Sequence, residues 1–218
     1  MKHIAAMALM LNLSVASVYA HEKPVKMTFS GTAAPSTINL QQPDTNNLEE
    51  NFAGNGTLGR FTFRNVSAET ASPQPSSTCS GASQLYFLRV AGAGVFRFHD
   101  GSLLKVTLTQ GADCVDLAAQ EGHCTMTFQI IGGTGRFKDA SGTLALTETV
   151  LPVLADASHN PVFFADTGGV YGDDFRSDPR GGTPRRAAIG KAYGRAPNSL
   201  CSQVQRVQSE NAGGQSMW

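Results

Sequence analysis

The chain carries little charge and no excess of either sign. Lysine and arginine number 17 against 17 aspartates and glutamates in 218 residues, and no basic stripe with interleaved aromatics occurs. Nucleic acid is therefore not expected as a partner. Long apolar runs are scarce as well. The one that exists, Ile4 to Leu13, is about half the ~20 residues that a bilayer-spanning helix needs. It follows Lys2 and His3 and precedes Val18-Tyr19-Ala20, with small residues at the two recognition positions. This is the pattern of a secretory signal peptide over residues 1–20, so the expected product begins at His21, is secreted or periplasmic, and has no membrane span.

Other absences narrow the chemistry. There is no G-x-S-x-G elbow, which argues against a serine hydrolase of the usual triad kind. Cysteine is limited to Cys79, Cys114, Cys124 and Cys201, without the closely paired knuckles of a structural zinc site. An even count in an exported chain favours disulfides. Cys114 and Cys124 flank the polar stretch Val115 to His123 between two strand-like runs, so a bridge there would staple a hairpin loop and leave Cys79 to pair with Cys201. Four cysteines permit three pairings, and the other two stay open.

What is present is alternation. Met27 and Phe29 alternate with polar neighbours, as do Phe61 and Phe63, then Leu85 and Phe87, Phe96 and Phe98, Leu104, Val106 and Leu108, and Met126, Phe128 and Ile130. Period two is the strand period, and no stretch of about ten residues between Val25 and Val150 shows helical spacing. Six to eight strands with Gly, Asp and Asn turns predict an all-β antiparallel barrel or sandwich, and closure into a barrel of about eight strands removes exposed edges. Two inserts, Pro35 to Asn51 and Glu69 to Gly81, read as surface loops. Asn55-Gly56-Thr57 and Asn65-Val66-Ser67 match the N-glycosylation pattern and are read as chance matches. The barrel is assigned to residues 21–155. Residues 156–218 are read as a largely irregular Gly/Pro/Arg-rich extension, with Asn198 to Glu210 forming a short helix or irregular segment tied back through Cys201, or else a closing strand.

The densest information lies in Ile130-Ile131-Gly132-Gly133-Thr134-Gly135-Arg136-Phe137 and the following Ala140-Ser141-Gly142-Thr143-Leu144. A dinucleotide fingerprint needs a helix after its glycines. Here Thr143 to Val150 alternates like a strand, so the glycines are read as a tight β-hairpin turn. This G-G-T-G-R-F turn resembles the signature turn of the allene oxide cyclase and dirigent-like β-barrel superfamily. The resemblance implies a closed barrel that binds small apolar molecules in its lumen. Some members of that superfamily steer a cyclisation or a radical coupling. No catalytic residue is carried over.

Candidate residues follow from chemistry. Phe61, Phe63, Phe96, Phe98 and Phe128 are the expected contacts for an apolar or aromatic ligand, and with Phe29 they are also the side chains that would fill a solid lumen. Glu148 is in phase with Leu144 and Leu146, so it faces either an apolar interior, as a raised-pKa acid or base, or the solvated rim. Arg89 and Arg97 fit either face of their strands. Asp100-Gly101 reads as a type I′ turn. His21, if exposed by cleavage, is a candidate copper chelator through its free α-amine and ring that would need His99, His123 or His159 beside it; otherwise no metal and no cofactor is expected. Asp173 and Asp174 read as solvated rather than as a glycosidase pair. The expected function is binding of a small apolar molecule, with a lumen-based isomerase or cyclase, or a filled structural or surface interaction module, as the alternatives.

Overall fold

The computed structural model describes residues 24–177. Eight strands run β1 (Val25–Pro35), β2 (Thr45–Gly56), β3 (Phe61–Thr70), β4 (Gln84–Phe98), β5 (Leu103–Asp116), β6 (Glu121–Gly133), β7 (Thr143–Ala155) and β8 (Pro161–Gly172). Each pairs antiparallel with its neighbour in chain order, and β1 pairs with β8 to close the barrel. Among the described residues no helix is long and apolar enough to cross a membrane. The signal-peptide segment, His21, Cys201 and the Asn198 to Glu210 segment lie outside the described residues.

Inward and outward residues alternate as the pleat requires. At one end the inward positions are aromatic. Phe63 stacks on Phe96 with centroids 4.1 Å apart, Phe29 stacks on Phe52 at 4.4 Å, and Phe128 meets Phe63 edge-on. The β6–β7 connection closes this end by laying Phe137 on Phe98 at 4.6 Å, and Phe175, just after β8, packs on Phe137. The Gly-rich segment thus links two antiparallel strands, but the turn is not tight. It runs through a single 3₁₀ turn at Gly135–Phe137, with Gly135 at φ 58, in a loop wide enough to insert Phe137. The Asp100-Gly101 turn sits where expected, yet only Gly101 has positive φ, so it is not type I′.

Two strands lie where the sequence reading placed none. Thr45 to Asn51, read as loop, belongs to β2, and β8 lies inside the segment read as an extension, so the barrel runs to Gly172 rather than ending at residue 155. Registers shift in the β3–β4, β5–β6 and β7–β8 pairings, and two of these shifts set the floor of the lumen. Ala68 pairs with Ala91 but Glu69 with Arg89, and Leu108 pairs with Phe128 but Gln110 with Thr127. Each bulge inserts one residue and reverses the inward phase beyond it. In β4 the even residues Phe96 and Phe98 point inward and then odd Arg89 does; in β5 Leu104 and Val106 point inward, then Gly111 and Asp113.

The disulfide joins Cys79 to Cys114, with Cα atoms 5.7 Å apart, and Cys124 is a free, buried thiol. The expected Cys114–Cys124 bridge is excluded by register. Asp113 pairs with Cys124 and Cys114 with His123, so side chains 114 and 124 leave opposite faces of the wall. The companion Cys79–Cys201 pairing falls with it. Replacing Cys79 and Cys114 by serine is expected to lower unfolding stability by about 3–4 kcal/mol, the loop-closure term for a separation of 35 residues. Urea midpoints measure this loss, and a non-reduced peptide joining Cys114 to Cys124 would contradict the register.

Candidate functional site

The opposite end of the barrel is open. A cavity of about 290 Å³ enters there, walled by Leu48, Phe87, Val115, Val150, Pro152 and Phe164, with Glu69, Arg89, Asp113 and Glu148 among its lining. The volume is near the lower end of the ~300–1,000 Å³ typical of small-molecule sites. Phe61, Phe63, Phe96, Phe98 and Phe128, expected as ligand contacts, do not line it. They are at most 2% exposed and pack on one another, filling the closed end instead.

Arg89 is the centre of the floor. Its Nε donates to Asp113 Oδ2 at 2.6 Å and its Nη2 to Asp113 Oδ1 at 3.2 Å, a bidentate pair. Nη1 donates to Ser67 Oγ at 2.7 Å and to Glu50 Oε1, while Asn65 Nδ2 donates to Glu50 Oε2 at 2.8 Å. Gly111 makes room for this side chain, since a Cβ there would lie 2.9 Å from Arg89 Cβ. Asn65 is buried in this network, so its sequon is not accessible in the folded chain. Arg97, by contrast, faces outward.

Acids outnumber the base. Glu50, Glu69, Asp113, Glu148 and Asp166 surround Arg89, and Glu148 Oε1 stands 4.0 Å from its Nη2. Glu148 Oε2 and both Asp166 carboxyl oxygens are buried without a hydrogen-bond partner. Glu148 therefore lies inside, at 5% exposure, rather than at the rim. It is faced by Cys124 from β6, Asp166 from β8, Glu50 from β2, Arg89 from β4 and Asp113 from β5. Burial and then Glu50 push its pKa well up. Burial and then Asp113 push Glu69 up to about 8, and burial with Glu50 pushes Asp166 up to about 7. Burial works against the Arg89 charge, yet Asp113 and Glu50 hold its guanidinium protonated beyond the ordinary arginine range. Burial also keeps Cys124 a neutral thiol.

The remaining candidates are not brought together. His99 is in the turn at the closed end, while His123 and His159 are at the open end, and no cluster of three metal-ligating side chains occurs among the described residues. Asp174 is a tether: its carboxylate accepts from the Thr143 N–H and hydroxyl at 2.8 Å each. Asp173 is exposed.

No protein-family model matches the chain, and no curated protein matches it. Among solved structures the chain is similar to the pterocarpan synthase dirigent protein GePTS1, at 12% identity over 77% of this chain and 99% of that one, with a TM-score of 0.32. At that score the likeness adds nothing to the geometry.

Two predictions follow from the floor. A carboxyl whose folded pKa is raised keeps a proton that the unfolded chain has released, so its contribution to stability is complete below the ordinary value and is lost as pH climbs to the folded one. That window runs from 3.8 to about 7 for Asp166 and from 4.5 to about 8 for Glu69. The thermal midpoint is accordingly expected to fall between about pH 5 and about pH 8, and to fall less in a Glu69→Gln, Asp166→Asn double variant; equal slopes would contradict the assignment. Arg89→Met, which strands buried carboxylates, is expected to cost about 3–5 kcal/mol at neutral pH and much less in acid, where they protonate.

Proposed function

We propose that the chain is an exported small-molecule-binding barrel of the allene oxide cyclase or dirigent-like kind, in which an apolar or aromatic molecule enters the open end. One observation carries this reading: the lumen is packed solid at one end and hollow at the other. A barrel serving only as a filled structural module has no need of the hollow half. The ligand's apolar body fits between Leu48, Phe87, Val150 and Phe164, and its polar end meets the carboxyl floor. The disulfide supports export, because such bonds persist in oxidising compartments.

A second reading, a lumen-based isomerase or cyclase, is favoured by the Glu69–Asp113 pair. The two carboxyls adjoin, and Glu69 holds its proton near neutral pH while Asp113 is ion-paired with Arg89. A carboxyl that keeps its proton near neutral pH can act as a general acid. A turnover profile governed by a group near 8 and abolished in Glu69→Gln would bear it out.

Binding itself is tested with 2-phenylethanol as a neutral aromatic probe. Amide shifts in a titration are expected to concentrate on the open-end segments of β2, β4, β5, β7 and β8. Val150→Trp is expected to abolish them without altering far-UV circular dichroism. Shifts that persist in that variant, or that fall on the closed end, would defeat the lumen reading.

A further inference from the structure

The floor holds more acid than base, and its base is already engaged. Five carboxyls face one guanidinium, whose Nε and Nη groups already serve Asp113, Glu50 and Ser67. Glu148 contributes a second, independent observation. Its side chain is 1% exposed, it lines the cavity, and its Oε2 has no partner. A buried carboxylate oxygen without a donor is costly, and a proton or a bound cation relieves that cost. An anion has no free cationic partner here, and a neutral alcohol offers one donor and no charge to pair with an ionised carboxylate. An ammonium brings one positive charge and three donors into the same space. The walls above are apolar, so the rest of the ligand must be apolar as well.

We propose that the cavity takes a cationic amphiphile, a molecule with an aromatic or aliphatic body and a primary or secondary ammonium group that docks on Glu148 at the floor. This deepens the reading of the cavity as a binding site and rests on it. The ammonium keeps its own proton, and the carboxyl it meets gives one up to solvent, so the exchange leaves the buried charge unchanged. Burial otherwise holds that proton on the acid. Binding is therefore coupled to proton release. Arg89 does not repel the incoming cation, because its charge is already turned onto Asp113 and Glu50.

The test compares 2-phenylethylamine with 2-phenylethanol, which differ only in the terminal group, by titration calorimetry at neutral pH in two buffers of different ionisation enthalpy. The amine is expected to bind about tenfold more tightly, because a charge-assisted hydrogen bond is stronger than a neutral one. Its binding heat is also expected to depend on the buffer, as released protons require, while that of the alcohol does not. In Glu148→Gln the amine's advantage over the alcohol is expected to collapse, and in Glu69→Gln to shrink. Both substitutions put a neutral isostere where a neutral acid already sits, so folding is preserved. Equal binding of the two probes, or an amine preference unchanged in Glu148→Gln, would overturn the inference and leave the cavity reading standing. Failure of both probes to bind would overturn both.

Discussion

The open half of the barrel depends on the bidentate contact between Arg89 and Asp113. Without a guanidinium at that place, the inward-facing Glu50, Asp113 and Glu148 would be mutually repelling anions in a buried setting that screens charge poorly. With it, two of the acids are compensated and the others retain protons. A buried ion pair adds little net stability compared with well-packed apolar residues. Here it lies above an aromatic core that already fills the closed end. The structure keeps more acid than Arg89 can neutralise, and that excess faces the open space.

Both halves of the lumen are built from the same strands. β4 supplies Phe96 and Phe98 to the packed end and Arg89 to the floor, and β5 supplies Leu104 and Val106, then Asp113. The bulges make this division possible. A strand in strict alternation would carry Phe96 and Phe98 inward together with Leu88 or Val90, and Arg89 would point to solvent. One extra residue in each strand turns Arg89 and Asp113 inward together, at a level where Gly111 leaves room for them. The stacked phenylalanines below form a rigid, dry base that keeps the floor away from water at the closed end, so the polar groups are reached only from the open mouth.

That division also explains what the sequence disclosed. The strands whose inward positions are apolar, β1, β3, the two ends of β4, β5, β6 and the start of β7, are visible as alternation, and so are the barrel class and the role of the glycines in a connection rather than a phosphate loop. β2 and β8 are hidden because their inward faces carry Glu50 in one and Asp166 with Gly168 in the other. A strand with a buried carboxylate reads as a polar loop under any hydrophobic count. The residues that make the site thus erase the pattern by which its strands are found. Glu148 was legible only because Leu144 and Leu146 preceded it in phase. The alternation of Leu85 and Phe87 pointed toward Arg89, but its partner Asp113 lies beyond a bulge that periodicity cannot see.

The covalent staple belongs to the same design. Cys114 follows Asp113 directly, so the two side chains leave opposite faces of the wall at one point of the backbone. The bond to Cys79 fixes that point from outside, tying β5 to the long connection between β3 and β4, the strands that carry Glu69 and Arg89. Backbone freedom at residue 113 would loosen the bidentate pair, whose geometry tolerates little displacement. Cys124, directly across from Asp113 on the inner face, takes no part in the staple and remains a neutral thiol among the acids. Covalent restraint on the outer surface and ionic restraint on the inner one therefore act on the same stretch of β5, which is why the carboxyl floor holds its shape at the edge of a cavity that nothing fills from below.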